Sequence, residues 1–363
     1  MTAPAALTHS SWINAWALHR ACRRAGVALY TSDDAHGLPV PRLPQGQAVA
    51  WELMTDESAL RRALQGQARG RFEPASYPLE LLDDKWAFAQ WLAQDPHGPQ
   101  PLPQWALDAP DARYPLLLKA RHSWVGSTKL PRGWVCHSAN ELRRRRAELP
   151  ALGLQEGWFF LQAWRGDDAV RLWSVAGYFD AGDEVRSQLL LTERVASDTA
   201  SGPGSSAMLV TLGNDDPSAA AAVQACKAVL RRLHYRGPLE MEFIAAADSL
   251  QLLELNPRLW MQHGLFEAWG NGLVRRCLGQ DTADDHTAAR RPPPPLLWVN
   301  GIWWLQRLLR LDLSALQACW RLGRSAGRQV LVQPPLRIAL LVPLRRLLRR
   351  WGRAASWAVD DHV

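Results

Sequence analysis

The segment 239–258 limits the choice of fold more than any other, because two apolar runs there flank a short polar turn. The first run reads Leu-Glu-Met-Glu-Phe-Ile, and the second reads Leu-Gln-Leu-Leu-Glu-Leu-Asn-Pro-Arg. This pattern predicts a β-hairpin whose strands are at least half buried. Because side chains alternate along a strand, Glu240 and Glu242 share one face of the first strand, and Glu254 and Asn256 share one face of the second.

Carboxylates on adjacent buried strands repel each other unless a cation lies between them. Mg²⁺ favours octahedral oxygen ligation by one or two carboxylates together with the phosphate oxygens of a substrate, so the hairpin predicts a magnesium site. The alternative is an edge hairpin with solvated acids. The metal site is favoured, because Glu254 interrupts an apolar run in which a carboxylate without a partner would be costly.

The lysines form a second informative pattern, because only four of the 42 basic residues are lysines. In a chain that otherwise uses arginine, they mark positions that need a compact ammonium group. Lys119 ends a predicted buried strand and is followed by a loop that contains Gly126 and Ser127, an arrangement that directs an ammonium and free N–H groups at phosphate. Lys85 lies in a helix predicted to begin at Asp84. At this position an ordinary solvated helix lysine and a lysine with a functional role are equally good interpretations.

The N-terminal segment predicts a small α/β layer. Residues 10–27 repeat apolar side chains at helical spacing, and 27–30 reads as a short strand. We expect the strand before this helix to be poorly formed, because 1–9 offers only Ala-Ala-Leu and no glycine. The polar residues at 9–11 are expected to cap the helix rather than to bind a ligand.

Together these motifs resemble the ATP-grasp superfamily, specifically its carbamoyl-phosphate-synthase-like branch of carboxylate–amine ligases. The resemblance rests on Glu-x-Glu-Phe, on Leu-Leu-Glu-x-Asn-Pro-Arg about a dozen residues later, and on the lysine strand upstream. It implies an α/β chain with two α+β lobes, the ATP-grasp fold. The implied divisions are a pre-ATP-grasp α/β domain at 1–78, a central small lobe at 79–155, a C-terminal lobe at 156–288, and a proline linker with a basic, tryptophan-rich helical tail at 289–363.

The resemblance also implies which residues bind the cofactors. Mg²⁺, with Mn²⁺ as the alternative ion, would be bound by Glu242, Glu254 and Asn256. Main-chain groups at 162–164 would contact the adenine edge, and Asp167 or Asp168 the ribose. The full set implied for ATP is Lys85, Lys119, Gly126, Ser127, Gln162, Ala163, Trp164 and Asp168.

The catalytic set implied by the resemblance is Lys119, Arg194 and Arg258. Arg258 would contact the transferred phosphoryl group or the acyl phosphate. Arg194 is favoured over Arg186 for the γ-phosphate and the carboxylate, because it lies nearer the Gly/Ser-rich loop at 201–206. Arg171 is the third arginine that could face the phosphate.

The activity that the resemblance implies is amide formation. ATP would phosphorylate a small-molecule carboxylate, and an amine would attack the acyl phosphate. One alternative is phosphorylation without ligation. Another is a protein that binds a membrane surface or a polyanion and has a degenerate nucleotide site. A specific nucleic-acid partner is not expected, because the four arginines at 143–146 lack interleaved aromatic residues and are typical of a solvated helix face.

Positive charge is concentrated at the C-terminus, where 291–363 holds 12 arginines and three aspartates. An amphipathic segment there is typical of a helix on an anionic membrane surface, and the alternative is docking on the protein's own body. The amphipathic segment places Leu344, Leu347, Leu348 and Trp351 opposite Arg345, Arg346, Arg349 and Arg350.

Five scattered cysteines, no signal-peptide pattern and no apolar run of about 20 residues predict a cytoplasmic protein, with peripheral attachment to the inner membrane face as the alternative.

Overall fold

The computed structural model describes residues 5–8, 12–32, 40–73, 79–109, 111–166, 170–198, 204–213, 217–246, 249–270, 272–280, 294–324, 328–335 and 339. Three predictions lie outside these residues: the ribose contact of Asp167 or Asp168, the helix cap at 9–11 and the amphipathic segment from Leu344 to Trp351. Within them, the strands form three larger sheets and one separate two-stranded hairpin. None of the helices in these ranges combines the length and the hydrophobicity that crossing a bilayer requires.

The N-terminal layer is a three-stranded parallel sheet with two helices. Its strands are β1 (Ala5–Thr8), β2 (Ala28–Thr31) and β3 (Trp51–Leu53), and its helices are α1 (Trp12–Arg24) and α2 (Glu57–Leu64). The expectation of a poorly formed first strand was wrong, because β1 is the central strand and pairs with both β2 and β3. Three apolar residues and a threonine carry little local signal, and it is this pairing on both sides that fixes them as a strand.

Two short helices, α3 (Leu79–Asp83) and α4 (Lys85–Ala93), lead from this layer to the second sheet. Asp84 caps α4 by accepting hydrogen bonds from the main-chain N–H groups of Trp86 and Ala87. The predicted helix start at Asp84 is thereby confirmed.

The second sheet is small and antiparallel, in the order β4-β9-β5-β8 with its helix α5 on one face. Leu142 of α5 packs with Leu116 and Leu118 of β5, so Lys119, which has the other parity on this strand, points to the opposite face. The elements are β4 (Gln104–Trp105), β5 (Leu116–Ala120), the hairpin β6 (Trp124–Val125) and β7 (Thr128–Lys129), β8 (Gly133–Cys136), α5 (Ala139–Glu148) and β9 (Phe159–Ala163).

The third sheet has seven strands in the order β14-β13-β10-β11-β12-β15-β16. Trp173 and Val175 of β10 pack on α6 and α4, whereas Ala176 and Tyr178 face α1, α7 and α8 on the other side. The strands are β10 (Arg171–Asp180), β11 (Gln188–Ser197), β12 (Ser206–Thr211), β13 (Arg236–Ala246), β14 (Ser249–Asn256), β15 (Leu296–Asn300) and β16 (Gln329–Gln333), and the helices are α6 (Pro217–Arg232), α7 (Gly264–Trp269) and α8 (Leu273–Cys277).

Two of the predicted domain boundaries do not coincide with the boundaries of the sheets. Strand β9, which the sequence assigned to the C-terminal lobe from 156 onward, pairs with β5 in the small sheet. The segment from 289, predicted to be a linker and tail, contributes β15 and β16 to the large sheet. Trp298 of β15 is fully buried. Proline-rich composition at 292–295 indicated a linker, but it precedes a strand whose hydrophobic residues complete the core.

Helices α9 (Gly301–Leu309) and α10 (Leu313–Arg324) connect β15 to the parallel strand β16. Trp303 of α9 and Cys319 of α10 pack on the sheet in a cluster with Met208 and Val210 of β12. The described part of the C-terminal segment is therefore a folded layer of the large lobe.

Candidate functional site

The hairpin of β13 and β14 confirms the strand prediction at 239–258. Glu240 lies opposite Asn256 and Glu242 lies opposite Glu254, with a register irregularity directly after Glu242. The Asn256 side-chain Nδ2 donates to Oε2 of Glu240 over 3.4 Å. Neighbouring residues of β13 with the other parity, such as Met241, pack on α6, so the acidic side chains occupy the opposite face of the sheet.

Lys119 of β5 connects the small sheet to this hairpin by a direct side-chain contact. Its Nζ lies 3.2 Å from Oε2 of Glu254 and donates to Oε1 of Gln162 over 3.2 Å. Burial lowers the pKa of Lys119, while Glu254 opposes the shift. Burial also disfavours ionisation of Glu254, but the ammonium groups of Lys119 and Lys85 outweigh it and lower the pKa of this carboxyl below its usual value. The two groups form a buried ion pair between the sheets.

Arg194 of β11 is the arginine that reaches the hairpin. Its Nη2 donates to Oε1 of Glu242 over 2.7 Å, and its Nε donates to Oγ of Ser206 over 2.9 Å. Arg171 instead pairs with Glu193 at the surface. The side chain of Arg186 lies outside the described part of the structure.

Two carboxyl groups of the hairpin are held towards their neutral form, chiefly by burial. Burial raises the pKa of Glu240 to about 8, and the adjacent Glu242 carboxylate adds to the shift. Burial likewise raises the pKa of Glu242, against the attraction of Arg194. A divalent cation would relieve both effects, because it stabilises the charged form of nearby carboxylates.

The predicted metal ligands fit Mg²⁺ by their chemistry. Glu242, Glu254 and Asn256 offer carboxylate and amide oxygens, and Mg²⁺ commonly takes only one or two protein carboxylates and completes its shell with phosphate oxygens and water. Among the residues that the structure describes, no group of three His, Cys, Asp or Glu side chains forms a metal cluster. The set of two glutamates and one asparagine is consistent with a site that substrate oxygens complete.

Arg258, at the end of the hairpin motif, is held by a residue of the N-terminal layer. Its Nη2 donates to Oε1 of Glu57 over 2.6 Å. Arg258 lowers the pKa of Glu57 to about 2 despite the opposing effect of burial. Sequence reasoning missed Glu57, whose only local signal is its place in the first turn of α2 after the N-cap Asp56.

The hairpin of β6 and β7 contains the loop that the sequence predicts to meet phosphate, and it is called the phosphate loop from here on (residues 124–129). Gly126 and Ser127 lie at its exposed tip. Gly126 has a φ of +59°, which suits a residue without a Cβ. Nη1 of Arg61 on α2 donates to the main-chain oxygen of Trp124. Just beyond the loop, Nη2 of Arg132 donates to Oγ of Ser205 over 2.7 Å. The base of the loop thus contacts α2, and the chain just after the loop contacts Ser205.

Lys85 lies near the same region but outside the ion pair. Its Nζ is 3.4 Å from Oγ of Ser123, just before the phosphate loop. Because it also lowers the pKa of Glu254, its charge acts on the hairpin carboxylates. The structure therefore brings Lys85, Lys119 and Arg194 to the acidic face of the hairpin.

The strand β9 is buried at Gln162, as the prediction of a buried strand requires. The main-chain N–H of Ala163 donates to Pro103 over 2.8 Å, and that of Trp164 donates to Pro115 over 3.2 Å. A main-chain donor to an adenine edge would therefore have to come from a residue other than Ala163 and Trp164.

No protein-family model matches the chain, and no curated protein matches it in sequence. Solved structures resemble it in fold. N5-carboxyaminoimidazole ribonucleotide synthetase from Thermus thermophilus is 18% identical, with a TM-score of 0.56 and 82% of each chain covered. L-amino acid ligase from Bacillus licheniformis is 12% identical, with a TM-score of 0.59 over 82% of this chain and 79% of that one.

A third similar structure is biotin carboxylase from Campylobacter jejuni in complex with β,γ-ATP. It is 12% identical, with a TM-score of 0.58 over 78% of this chain and 72% of that one. At these identities the likeness concerns the fold, and it agrees with the motifs from which the fold was predicted. The chain has the ATP-grasp fold.

Proposed function

We propose that the chain is an ATP- and Mg²⁺-dependent ligase that joins a carboxylate to an amine through an acyl phosphate. One observation carries the proposal. The predicted phosphate-binding cation, Lys119, reaches the predicted metal-binding carboxylate, Glu254, at 3.2 Å across the two lobes. A buried ion pair alone is weak evidence of function. Here it stands among Glu240, Glu242 and Arg194, a concentration of charge typical of phosphoryl-transfer sites.

The chemistry of each side chain suits it to a different role, either phosphate contact or metal ligation. Lys119 and Lys85 carry the ammonium groups suited to the oxygens of the α- and β-phosphates. Glu242, Glu254 and Asn256 would hold Mg²⁺, which when bound neutralises charge on the phosphate oxygens. Arg194, held by Ser206 as well as by Glu242, offers a guanidinium for the γ-phosphate.

Arg258 is suited to the carboxylate being activated. Its guanidinium is fixed by Glu57, so it can present its remaining donors without a loss of side-chain freedom at the moment of reaction. Phosphorylation converts the carboxylate oxygen into a good leaving group, and an amine then displaces phosphate. Because the fixed charges stabilise the charge that develops, the chemistry requires no nucleophilic side chain.

The similar structures support this reaction class. Two of them are named as a synthetase and a ligase, and the third is a carboxylase solved with an ATP analogue. The proposal for this chain concerns the carboxylate and amine only as chemical classes.

The test is to incubate the protein with ATP, Mg²⁺, a pool of amines and a pool of carboxylates whose carboxyl oxygens are labelled with ¹⁸O. The proposal predicts ADP release that depends on both substrates, with one ¹⁸O atom transferred to phosphate. Lys119→Met should abolish turnover, whereas Lys227→Met serves as the matched control, because it lies on α6, which packs on the sheet face opposite the hairpin carboxylates. A phosphorylated acceptor without amide would instead favour a phosphotransferase, and a protein that neither binds nor hydrolyses ATP would favour the degenerate site.

A further inference from the structure

Hydrophobic side chains are exposed together on the C-terminal helices, far along the chain from the residues of the site. Among the described residues, eight large hydrophobic side chains are exposed, and four of them lie within twelve positions. This cluster, called the C-terminal patch, comprises Leu309 (69% exposed), Leu311 (78%), Leu313 (65%) and Trp320 (61%). Isolated exposed hydrophobics need no explanation, but a contiguous group marks an interaction surface.

The patch follows from the geometry of α10. Ala315, Ala318, Cys319 and Leu322 pack on the large sheet, so the opposite side of the helix faces solvent. Positions 313, 317, 320 and 324 share that outer side at helical spacing. Leu309 and Leu311 extend the patch onto the turn between α9 and α10. The apolar groups therefore lie on the outer side of α10 and on the turn that precedes it.

The backbone at Leu311 supports a role for its side chain. Leu311 has a φ of +51°, in the left-handed region where glycine or asparagine ordinarily ends a helix. A leucine at this position is strained, and its side chain is the most exposed of the patch. Backbone strain at a side chain that the chain itself does not bury motivates the hypothesis that this residue has a function.

The charged residues beside the patch are mostly arginines. Arg310, Arg321 and Arg324 are exposed beside it, and the Arg324 guanidinium lies 4.6 Å from the ring centroid of Trp320. The acidic residue of the turn, Asp312, is engaged by Arg307 at 3.0 Å. A symmetric contact between two copies would bring these arginines together, which disfavours self-association through the patch.

We propose that the C-terminal patch docks the protein on an anionic lipid bilayer. Leucines and a tryptophan on the outer side of α10 and the preceding turn enter the interfacial layer, and arginines around them contact lipid phosphates. The proposal rests on described residues of the two helices and is independent of the ligase activity. It differs from the sequence prediction, which assigned membrane contact to the segment from Leu344 to Trp351.

The test is co-sedimentation of the full chain with vesicles of phosphatidylcholine alone and with vesicles that also contain phosphatidylglycerol. Binding is expected only to the second kind. Leu311→Gly with Leu313→Ser should weaken it about tenfold or more, because two apolar insertions are removed. Arg310→Glu with Arg321→Glu should weaken it about fivefold or more for each charge, and added salt should act in the same direction.

Single glycine variants separate folding from binding. Leu311→Gly relieves a strained backbone, so its melting temperature should equal or exceed that of the parent while its vesicle binding falls. His234→Gly is the matched control, because His234 is exposed, has a φ of +48° and lies at the end of α6. It should leave vesicle binding unchanged. Binding to neither vesicle, equal binding to both, or patch variants that change only the oligomeric state or leave sedimentation unaltered would each overturn the proposal.

Discussion

At the scale of residues, the contact between Lys119 and Glu254 joins the lobes and concentrates charge in the site. Both side chains are largely buried, at 9% and 20% exposure. Their pairing offsets the cost of removing each charge from water. Replacing one of the two residues alone should therefore change the free energy of unfolding.

Glu254→Gln should therefore lower the free energy of unfolding by about 3–5 kcal/mol, because the Lys119 ammonium stays buried without its carboxylate. Urea unfolding followed by circular dichroism measures the change. Glu193→Gln, which breaks a surface ion pair with Arg171, should cost about 0–1 kcal/mol and is the control. Adding Lys119→Met to Glu254→Gln should recover much of the loss, and simple additivity of the two losses would speak against the pair.

His263 gives the chain a pH-dependent stability. It is fully buried, its Nδ1 lies 2.7 Å from the main-chain oxygen of Trp260, and burial lowers its pKa from 6.5 to about 4. Between these values the unfolded chain binds a proton that the folded chain does not, so stability falls as pH falls from 6.5 to about 4. The full effect is about 3 kcal/mol.

Replacing His263 with Asn keeps a donor for Trp260 and removes the titrating ring. Urea unfolding of both proteins across this pH range should show a steeper loss of stability in the parent. Parallel curves for the two proteins would contradict the assignment of a neutral, buried imidazole.

Some site residues follow from local rules and others do not. Glu242, Glu254 and Lys119 could be predicted because alternation along strands and the end of a buried run fix where their side chains point. Glu57 could not, because it is 201 positions from Arg258 and reaches it only through packing of the N-terminal layer. Likewise nothing local indicated that Pro103 and Pro115 would occupy the N–H groups of Ala163 and Trp164.

At the scale of elements, the phosphate loop is attached at its base to helix α2 through Arg61. This contact orients the loop in the free protein, so the loop loses less freedom when it meets a ligand. Arg61→Ala should weaken nucleotide binding by about three- to tenfold, the loss of one positioned hydrogen bond from a charged donor. Calorimetric titration with a non-hydrolysable ATP analogue measures the effect.

Arg62, on the same turn of α2, is the matched control. Its Nε and Nη2 have no partner among the described residues. Arg62→Ala should leave nucleotide affinity unchanged. Equal effects of the two substitutions would mean that the general charge of α2, rather than the bond to Trp124, determines affinity.

The elements that were predicted best from the sequence are those with strong local signals. The hairpin of β13 and β14 and the capped helix α4 each combine periodicity with a turn or cap residue. Strand β1 and the sheet membership of β9 lacked such signals, because they depend on partners distant in the chain. Tertiary pairing, not local propensity, decides these elements.

At the scale of the whole molecule, the C-terminal strands complete the large lobe. Trp298 of β15 is fully buried in the core shared with α1 and α7, and its Nε1 donates to Oε1 of Gln333 over 3.2 Å. Trp298→Ala should cost about 3–5 kcal/mol of stability, measured by urea unfolding. Trp320→Ala, on the exposed side of α10, should change stability by less than about 0.5 kcal/mol.

A chain truncated at Arg290 should accordingly fail to fold rather than behave as an enzyme without its tail. A truncated protein with a cooperative unfolding transition and unchanged stability would show that β15 and β16 are dispensable. Composition could not predict this, because the arginines and prolines after 290 resemble those of a linker, whereas every residue of β15 is buried.

The Mg²⁺ dependence of nucleotide binding tests directly whether the hairpin holds a metal ion against the nucleotide. A non-hydrolysable ATP analogue is titrated into the protein with Mg²⁺ and again with a chelator. The account predicts affinity that falls about tenfold or more without Mg²⁺ in the parent and in Glu193→Gln, and that shows no such dependence in Glu242→Gln or Glu254→Gln. An equal response to Mg²⁺ in all four proteins would contradict it.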